Sequence, residues 1–416
     1  MDIFSKQLLY AIQEGNGSTT EKIAKVSSAE NVTLFLTKDG NLYGCGKNDY
    51  GQQGNNDSNG NPVKVFTLID TNVVEIDCSS TTSWYINNSG ELYGCGENSY
   101  NQQGTSGTHV LAFTKRADNT IKVITTGRDT WYLNNSGELF GCGYNSSGQH
   151  GLGNFSRVNV FTKSADNVKD FDASDGVCWY ITNSGDLYGA GAGGYGQQGN
   201  NSSSNVNVFT KRAENVKFIS SHACTTWYIN NNNELYGCGA GGNGQQSNGT
   251  TSAVNTFTKR ADNAKYVQAG ENETWYIATN GDLYGCGKSD YYQQGSNSTD
   301  KVLTFTKRAE NVKTIGKFTS GLTWYITNDN KLYGCGRNNY NQQGAGDTTS
   351  SITTFTKRSD DAVFLSNSTS ETWYIDSNGD LYGCGANGNG QQGNGTGGSG
   401  ATYRVKTFEN KMGYLT

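Results

Sequence analysis

Glu91-Leu92-Tyr93-Gly94-Cys95-Gly96, followed by Asn101-Gln102-Gln103-Gly104, decides the fold because it is not unique. The same Leu-aromatic-Gly-x-Gly core starts at Leu42, Leu92, Leu139, Leu187, Leu235, Leu283, Leu332 and Leu381. Successive starts lie 47 to 50 residues apart. A Gln-Gln-Gly-like triplet follows each core, most loosely at Gln149-His150-Gly151 and Gln245-Gln246-Ser247. A self-similar period of this length signals a repeat architecture, in which one supersecondary unit is written many times.

Working outward from the core, the fifth unit shows what one copy contains. Val216-Lys217-Phe218-Ile219 alternates and suits a strand. Thr226-Trp227-Tyr228-Ile229 is rich in the β-branched and aromatic residues that strands favour. Asn230 to Asn233, written Asn87-Asn88-Ser89-Gly90 in the second unit, is a hairpin turn whose residues accept positive φ. Glu234 to Gly239 is a third strand, and its glycines mark close backbone approach. After a long polar loop, Val254 to Lys259 is a fourth. Four short strands per unit predict a β-propeller blade. The chain is therefore expected to be all-β, a propeller of four-stranded antiparallel blades over residues 23–416, with eight repeat units and seven blades as the alternative. Trp84, Trp131, Trp179, Trp227, Trp275, Trp324 and Trp373 each lie eight residues before their Leu, with Leu34 in that place in the first unit. Such a recurring Trp reads as packing between blades. The segment from Thr402 to Phe408 is expected to complete the first blade and so protect a sheet edge.

Residues 1–22 stand outside the repeats. Phe4, Leu8, Ala11 and Ile12 fall at i, i+4, i+7 and i+8 and predict a short helix. Its apolar residues Phe4, Leu8, Leu9 and Ile12 are candidates for docking a partner, joined to the repeats by a flexible link over residues 14–20.

On these residues the chain resembles the regulator-of-chromosome-condensation repeat family of β-propellers. The sixth unit carries the pattern from Gly270 through Glu273-Thr274-Trp275-Tyr276-Ile277, Asn280-Gly281-Asp282-Leu283-Tyr284-Gly285-Cys286-Gly287. The first adds Gly46-Lys47-Asn48-Asp49-Tyr50-Gly51-Gln52-Gln53-Gly54. The resemblance implies the propeller fold and, from the member that names the family, nucleotide exchange on a small GTPase and chromatin binding. The chain departs from the pattern. The family's His position holds Glu273, Thr225 or Thr82, Cys replaces its Trp before Gly, and Pro62 is the one proline.

Composition narrows the function. Charged residues are 17% of the chain and the net charge is -5, with no basic run, so nucleic acid is not an expected partner. No apolar stretch approaches the roughly 18 residues that span a bilayer, and no signal peptide is apparent. Seven of the ten cysteines share one repeat position, where the fourth unit has Ala190, so they read as small buried side chains and not as a disulfide framework or a zinc site. The three histidines, His109, His150 and His222, read as isolated surface residues. Glu91, Glu138, Asp186, Glu234, Asp282 and Asp380 are turn residues repeated by symmetry. No catalytic constellation, phosphate loop, metal site or cofactor is expected.

What varies is the loops. Arg128, Asp129, His222, Glu271 and Lys317 lie between first and second strands, and Tyr50, Tyr100, Tyr195, Tyr291 and Tyr340 precede the Gln-Gln-Gly triplets. Variable loops on a rigid scaffold suit recognition. The expected function is a non-catalytic recognition or adhesion propeller that binds a cell-surface glycan or protein, as a phage or phage-tail-like particle component. Its partners would be a receptor or other particle proteins, and its place a virion or the cytoplasm. The alternative is an intracellular interaction scaffold or small-GTPase regulator.

Overall fold

The computed structural model describes residues 21–316, 321–346, 349–398 and 403–415. The expected N-terminal helix with Phe4, Leu8, Leu9 and Ile12, and the loop residue Lys317, lie outside the described residues. Among those described, the chain is all-β, with eight four-stranded antiparallel sheets whose strands follow chain order, and one short 3-10 turn at Met412–Tyr414. These are the eight blades of a β-propeller: 23–70, 73–117, 120–165, 168–213, 216–261, 264–309, 312–359 and 364–410.

Blade 5 shows why the residues form these strands. Its second strand, Thr225–Asn230, is buried at every position but the last, so both of its faces are covered. A strand covered on both faces needs a continuous apolar run, which Trp227-Tyr228-Ile229 supplies. It pairs with the third strand as Trp227↔Gly237, Tyr228↔Tyr236 and Ile229↔Leu235. The hairpin between them turns on Asn233 at φ 65. The Gly-x-Gly core has two distinct steric causes. A Cβ on Gly237 would come within 2.4 Å of the Trp227 ring, and Gly239 sits at φ +112 with the Cys224 carbonyl 2.2 Å from where its Cβ would be.

Contacts group the blades into two compact units. One holds the described residues of Met1–Asn135, Asn338–Ser350 and Arg358–Thr416, and the other holds Ser136–Arg337 and Ser351–Lys357. In the second unit, Trp179 meets Phe257 of the next blade at 5.8 Å, Trp227 meets Phe305 at 5.7 Å and Trp275 meets Phe355 at 6.1 Å, all edge-on. In the first unit, Trp373 of blade 8 meets Phe66 of blade 1 at 6.2 Å. Each of these Trp is at most 1% exposed, so each buries a whole indole between blades, on the order of 2–3 kcal/mol of apolar transfer.

The C-terminal strand differs from expectation. Arg404–Asn410 pairs with the third strand of blade 8 (Tyr382↔Asn410, Gly385↔Val405), and it does not complete blade 1. Blade 1 already has its own fourth strand, Val63–Asp70, paired to Leu42–Gly46. Blades 8 and 1 join through main chain and side chains: the Ile23 N–H donates to the Gly379 carbonyl at 2.8 Å and the Gly395 N–H to that of Lys64 at 2.9 Å. Ile23, Val26, Phe35 and Phe66 pack with Trp373, Ile375 and Leu381.

The repeated cysteine also has a local reason. The thiol donates to the main-chain carbonyl of a Gln in the preceding blade: Cys95 to Gln52 at 3.5 Å, Cys45 to Gln391 at 3.2 Å, Cys238 to Gln197 at 3.3 Å. Burial pushes these thiols well above their ordinary pKa.

Candidate functional site

A Gln-Gln pair builds one end of every blade but the third, which has Gln149-His150. The second Gln works within its blade: Gln103 Nε2 donates to the Cys95 carbonyl at 2.7 Å, and Gln246 Nε2 to that of Cys238 at 2.9 Å. In blades 1, 2, 4, 5 and 7 the first Gln crosses to the loop between strands one and two of the next blade. Gln52 Nε2 reaches the Ser80 carbonyl at 3.2 Å and Gln102 that of Gly127 at 3.0 Å. In the other unit Gln197 reaches Ala223 at 2.9 Å and Gln245 reaches Glu271 at 3.0 Å. These amides are buried, so each bond is a latch between neighbouring blades. The latch also places the two variable loop sets side by side.

The tyrosines before the triplets are tied by their backbone. The N–H groups of Tyr50, Tyr100, Tyr195, Tyr291 and Tyr340 each donate to the first Gln's Oε1 at 2.8–2.9 Å. Asn243 and Asn389 make the same bond, so the ring is free to differ. Tyr195 is 55% exposed and Tyr340 38%. Cations lie over four of the five rings: Lys47 over Tyr50 at 5.6 Å, Arg128 over Tyr100 at 5.7 Å, Arg337 over Tyr291 at 5.2 Å and Arg404 over Tyr340 at 5.3 Å. The structure thus brings together two of the expected site residues, Tyr100 and Arg128, from adjacent blades.

Other expected loop residues divide. Arg128 and Glu271 are exposed. His222 is half-buried, and burial lowers its pKa against the pull of Glu271 and Asp175. Asp129 is not displayed; it is fully buried as the first residue of a second strand. His150 is also buried, contrary to the surface reading. It takes over the second Gln's role, its N–H donating to Asn145 Oδ1 at 3.0 Å and its Nε2 lying 3.2 Å from the Tyr144 carbonyl.

The position that opens the second strand is buried in every blade: Val32, Thr82, Asp129, Val177, Thr225, Glu273, Leu322 and Glu371. It is the position where the resemblance expects His, and blades 6 and 8 fill it with a buried carboxyl, Glu273 and Glu371. Glu371 is well supplied, accepting from the Ser370 hydroxyl and, at 3.1 Å, from the Asn31 N–H of blade 1. Burial still raises its pKa. Glu273 accepts from Gln293 Nε2 at 2.5 Å through Oε1, while its buried Oε2 has no hydrogen-bond partner among the described residues. Burial pushes this carboxyl up to about 8. Among the described residues, no group of three His, Cys, Asp or Glu is arranged to hold a metal ion.

Models of the regulator of chromosome condensation (RCC1) repeat match residues 39–86 and 23–52. Over those residues the chain is similar to RCC1 repeats. No curated protein matches the chain by sequence. Among solved structures, human WBSCR16 superposes with a TM-score of 0.63 at 15% identity, over 79% of this chain and 96% of that one. Prp20p of Saccharomyces cerevisiae, in a structure concerned with its binding to Gsp1p and histones, gives 0.59 at 18% over 71% and 80%. Yeast RCC1 (Prp20) bound by Kap60 gives 0.58 at 20% over 71% and 78%. At these identities the likeness is one of fold. No helix among the described residues is long and apolar enough to cross a membrane.

Proposed function

We propose that the protein is a non-catalytic interaction propeller that binds a protein partner through the loops joined by the Gln latches. The observation that carries this is the pairing of Tyr with Lys or Arg at that end of the blades. Tyr and Arg dominate the energetics of protein–protein interfaces. A sugar would need an open ring face to stack on, and a cation already lies over four of these. The RCC1-like neighbours support an interaction or GTPase-regulator role more than adhesion to a glycan.

The test compares the wild-type chain with Arg128→Ala and Tyr100→Ala as baits for cross-linking and mass spectrometry. A partner held by wild type and lost from both variants, with unchanged melting temperature, is the expected result. Nucleotide release from that partner, where it is a small GTPase, separates a regulator from a scaffold. Binding to a glycan array that both variants retain would overturn the proposal in favour of the adhesin.

A further inference from the structure

The fourth strand of four blades ends in Lys-Arg-Ala: Lys115-Arg116-Ala117, Lys211-Arg212-Ala213, Lys259-Arg260-Ala261 and Lys307-Arg308-Ala309. In blade 1 the same place reads Leu68-Ile69-Asp70, and Leu34 stands where the other blades have Trp. The two departures meet in space. A Cβ on Gly44 would find Ile69 Cδ1 at 2.7 Å and Leu34 Cδ2 at 3.1 Å, where the matching Gly237 faces the Trp227 ring. Two large side chains have become two smaller ones. A cleft of ≈ 490 Å³ opens there, within one unit, between blade 1 and blade 2.

The cleft is lined by Val63, Leu68 and Ile69 on one side and by Tyr85, Tyr93 and Phe113 on the other. The Tyr85 and Tyr93 rings stack at 4.9 Å, with Phe113 tilted against Tyr85 at 5.0 Å. Its one charged lining residue is Asp70, at the position where the next five blades have Ala. The Asp70 carboxylate accepts from the Tyr85 hydroxyl and, at 2.8 Å, from the Thr71 N–H. A carboxylate offers about four acceptor sites, so two bonds leave capacity. Lys115 of blade 2 is held by Glu91 and Asp118, and Arg116 is not among the lining residues.

The other blades show what fits such a place. Arg212, Arg260 and Arg308 are half-buried on their outer strands, close enough to Cys238, Cys286 and Cys335 of the following blade for charge to act between them. On the floor of the cleft, Gly54 lies against Cys95, as Gly199 lies against Cys238. At the matching place between blades 1 and 2 the outer strand carries Ile69 and a carboxylate where those blades have a guanidinium, and the charge of Arg116 in blade 2 reaches Cys95 without lining the cleft.

We propose that this cleft is a socket for an arginine side chain presented by a partner protein. The stem would lie on Ile69 and Val63, the planar guanidinium would face the Tyr and Phe rings, and Asp70 would accept its N–H groups. Arg suits this better than Lys because a flat, weakly hydrated cation both stacks on rings and pairs with a carboxylate. The site lies along the outer strands, with Gln53 and Gly54 of the first triplet at its floor.

The test uses the full chain with Ile δ1-methyl labels, read by NMR at Ile69. The probes are a short peptide with one central arginine, the same peptide with neutral citrulline, and N-acetyl-arginine amide. The expected result is a saturable Ile69 shift with the arginine peptide, weakened at least about tenfold by citrulline and by Asp70→Asn. Ile69→Arg with Asp70→Ala, which restores the repeat and plugs the socket, should abolish the peptide-induced shifts of the remaining Ile methyls near the cleft while leaving the other resonances in place. Equal binding of the citrulline peptide, indifference to Asp70→Asn, or no Ile69 shift would overturn the socket. An amide that binds as tightly as the peptide would overturn the assignment to a protein partner.

Discussion

Blades 5 and 1 meet their successors through the same design and reach different outcomes. Between blades 5 and 6, Trp227 fills the gap, Phe305 stands edge-on to it, and the outer strand of blade 5 carries the half-buried Arg260. Between blades 1 and 2, Leu34, Ile69 and Phe113 occupy the matching positions and a cleft remains. A repeat array is stabilised by each unit's own sheet and by nearest-neighbour interfaces. The comparison teaches that a single interface can be thinned without loss of its blade, because Leu34 and Ile69 keep an apolar cluster with Val73, Ile76 and Tyr85.

The strongest way to break the comparison is at the filled junction. Trp227→Ala should cost about 3–5 kcal/mol, since a fully buried indole leaves a cavity that rigid sheets cannot close. Leu34→Ala should cost less, about 2–3 kcal/mol, because its site already borders open space. Urea denaturation of both variants checks the order. Equal losses would mean that the junctions are equally packed.

Next in size is a pH effect at the start of the second strand, where blade 5 has Thr225, blade 1 has Val32 and blade 6 has Glu273. The Glu273 carboxyl is held at about 8 in the fold, against an ordinary value of 4.5. An acid raised in this way stabilises the fold while protonated. Its contribution is complete below about pH 4.5 and is lost as pH rises through about 8. Wild type should therefore lose on the order of a few kcal/mol between pH 5 and pH 9 relative to Glu273→Gln. Glu371, shifted in the same direction, leaves a residual slope in both chains. Parallel stability curves for wild type and Glu273→Gln would refute the buried acid.

Leu34→Trp sharpens the contrast from the other side. With Ile69 against Gly44, a new indole overpacks the site and should cost about 1–3 kcal/mol. Adding Ile69→Arg should recover on the order of 1 kcal/mol, because the pair restores the repeat and the two positions couple. Additive losses in the double-mutant cycle would show that the two departures are unrelated. The smallest effect is expected at Lys259, whose exposed pairs with Glu234 and Asp262 lie at the turn end of blade 5. Lys259→Ala should leave the melting temperature unchanged within error, as exposed ion pairs add little.

Much of the blade was legible from side-chain types alone. Trp227 eight residues before Leu235 announced the inter-blade layer, and Gly237 and Gly239 announced the close approach that makes room for it. The eight copies and their strand order followed from the same spacing. The end of the chain was less legible, since whether Arg404–Asn410 completes blade 1 or blade 8 depends on which partner edge is already taken. The site was legible in its loops but not in its depth. Asp129, Glu273 and Glu371 look like loop residues because a charge usually marks solvent, yet each opens a strand covered on both faces. The cleft was hidden for another reason. Leu34 and Ile69 are 35 residues apart in sequence, and only the antiparallel register sets them on one glycine.

The small thiol packed against the preceding blade has a practical consequence. Every blade carries at least one buried cysteine, including blade 4, where Cys178 serves although Ala190 holds the repeat position. Only Cys224 is partly open. Blocked by burial, these sulfurs react only when their own stretch of sheet opens. A timed alkylation read peptide by peptide would then rank the blades by how often each comes apart, with the protein supplying a gauge in each blade.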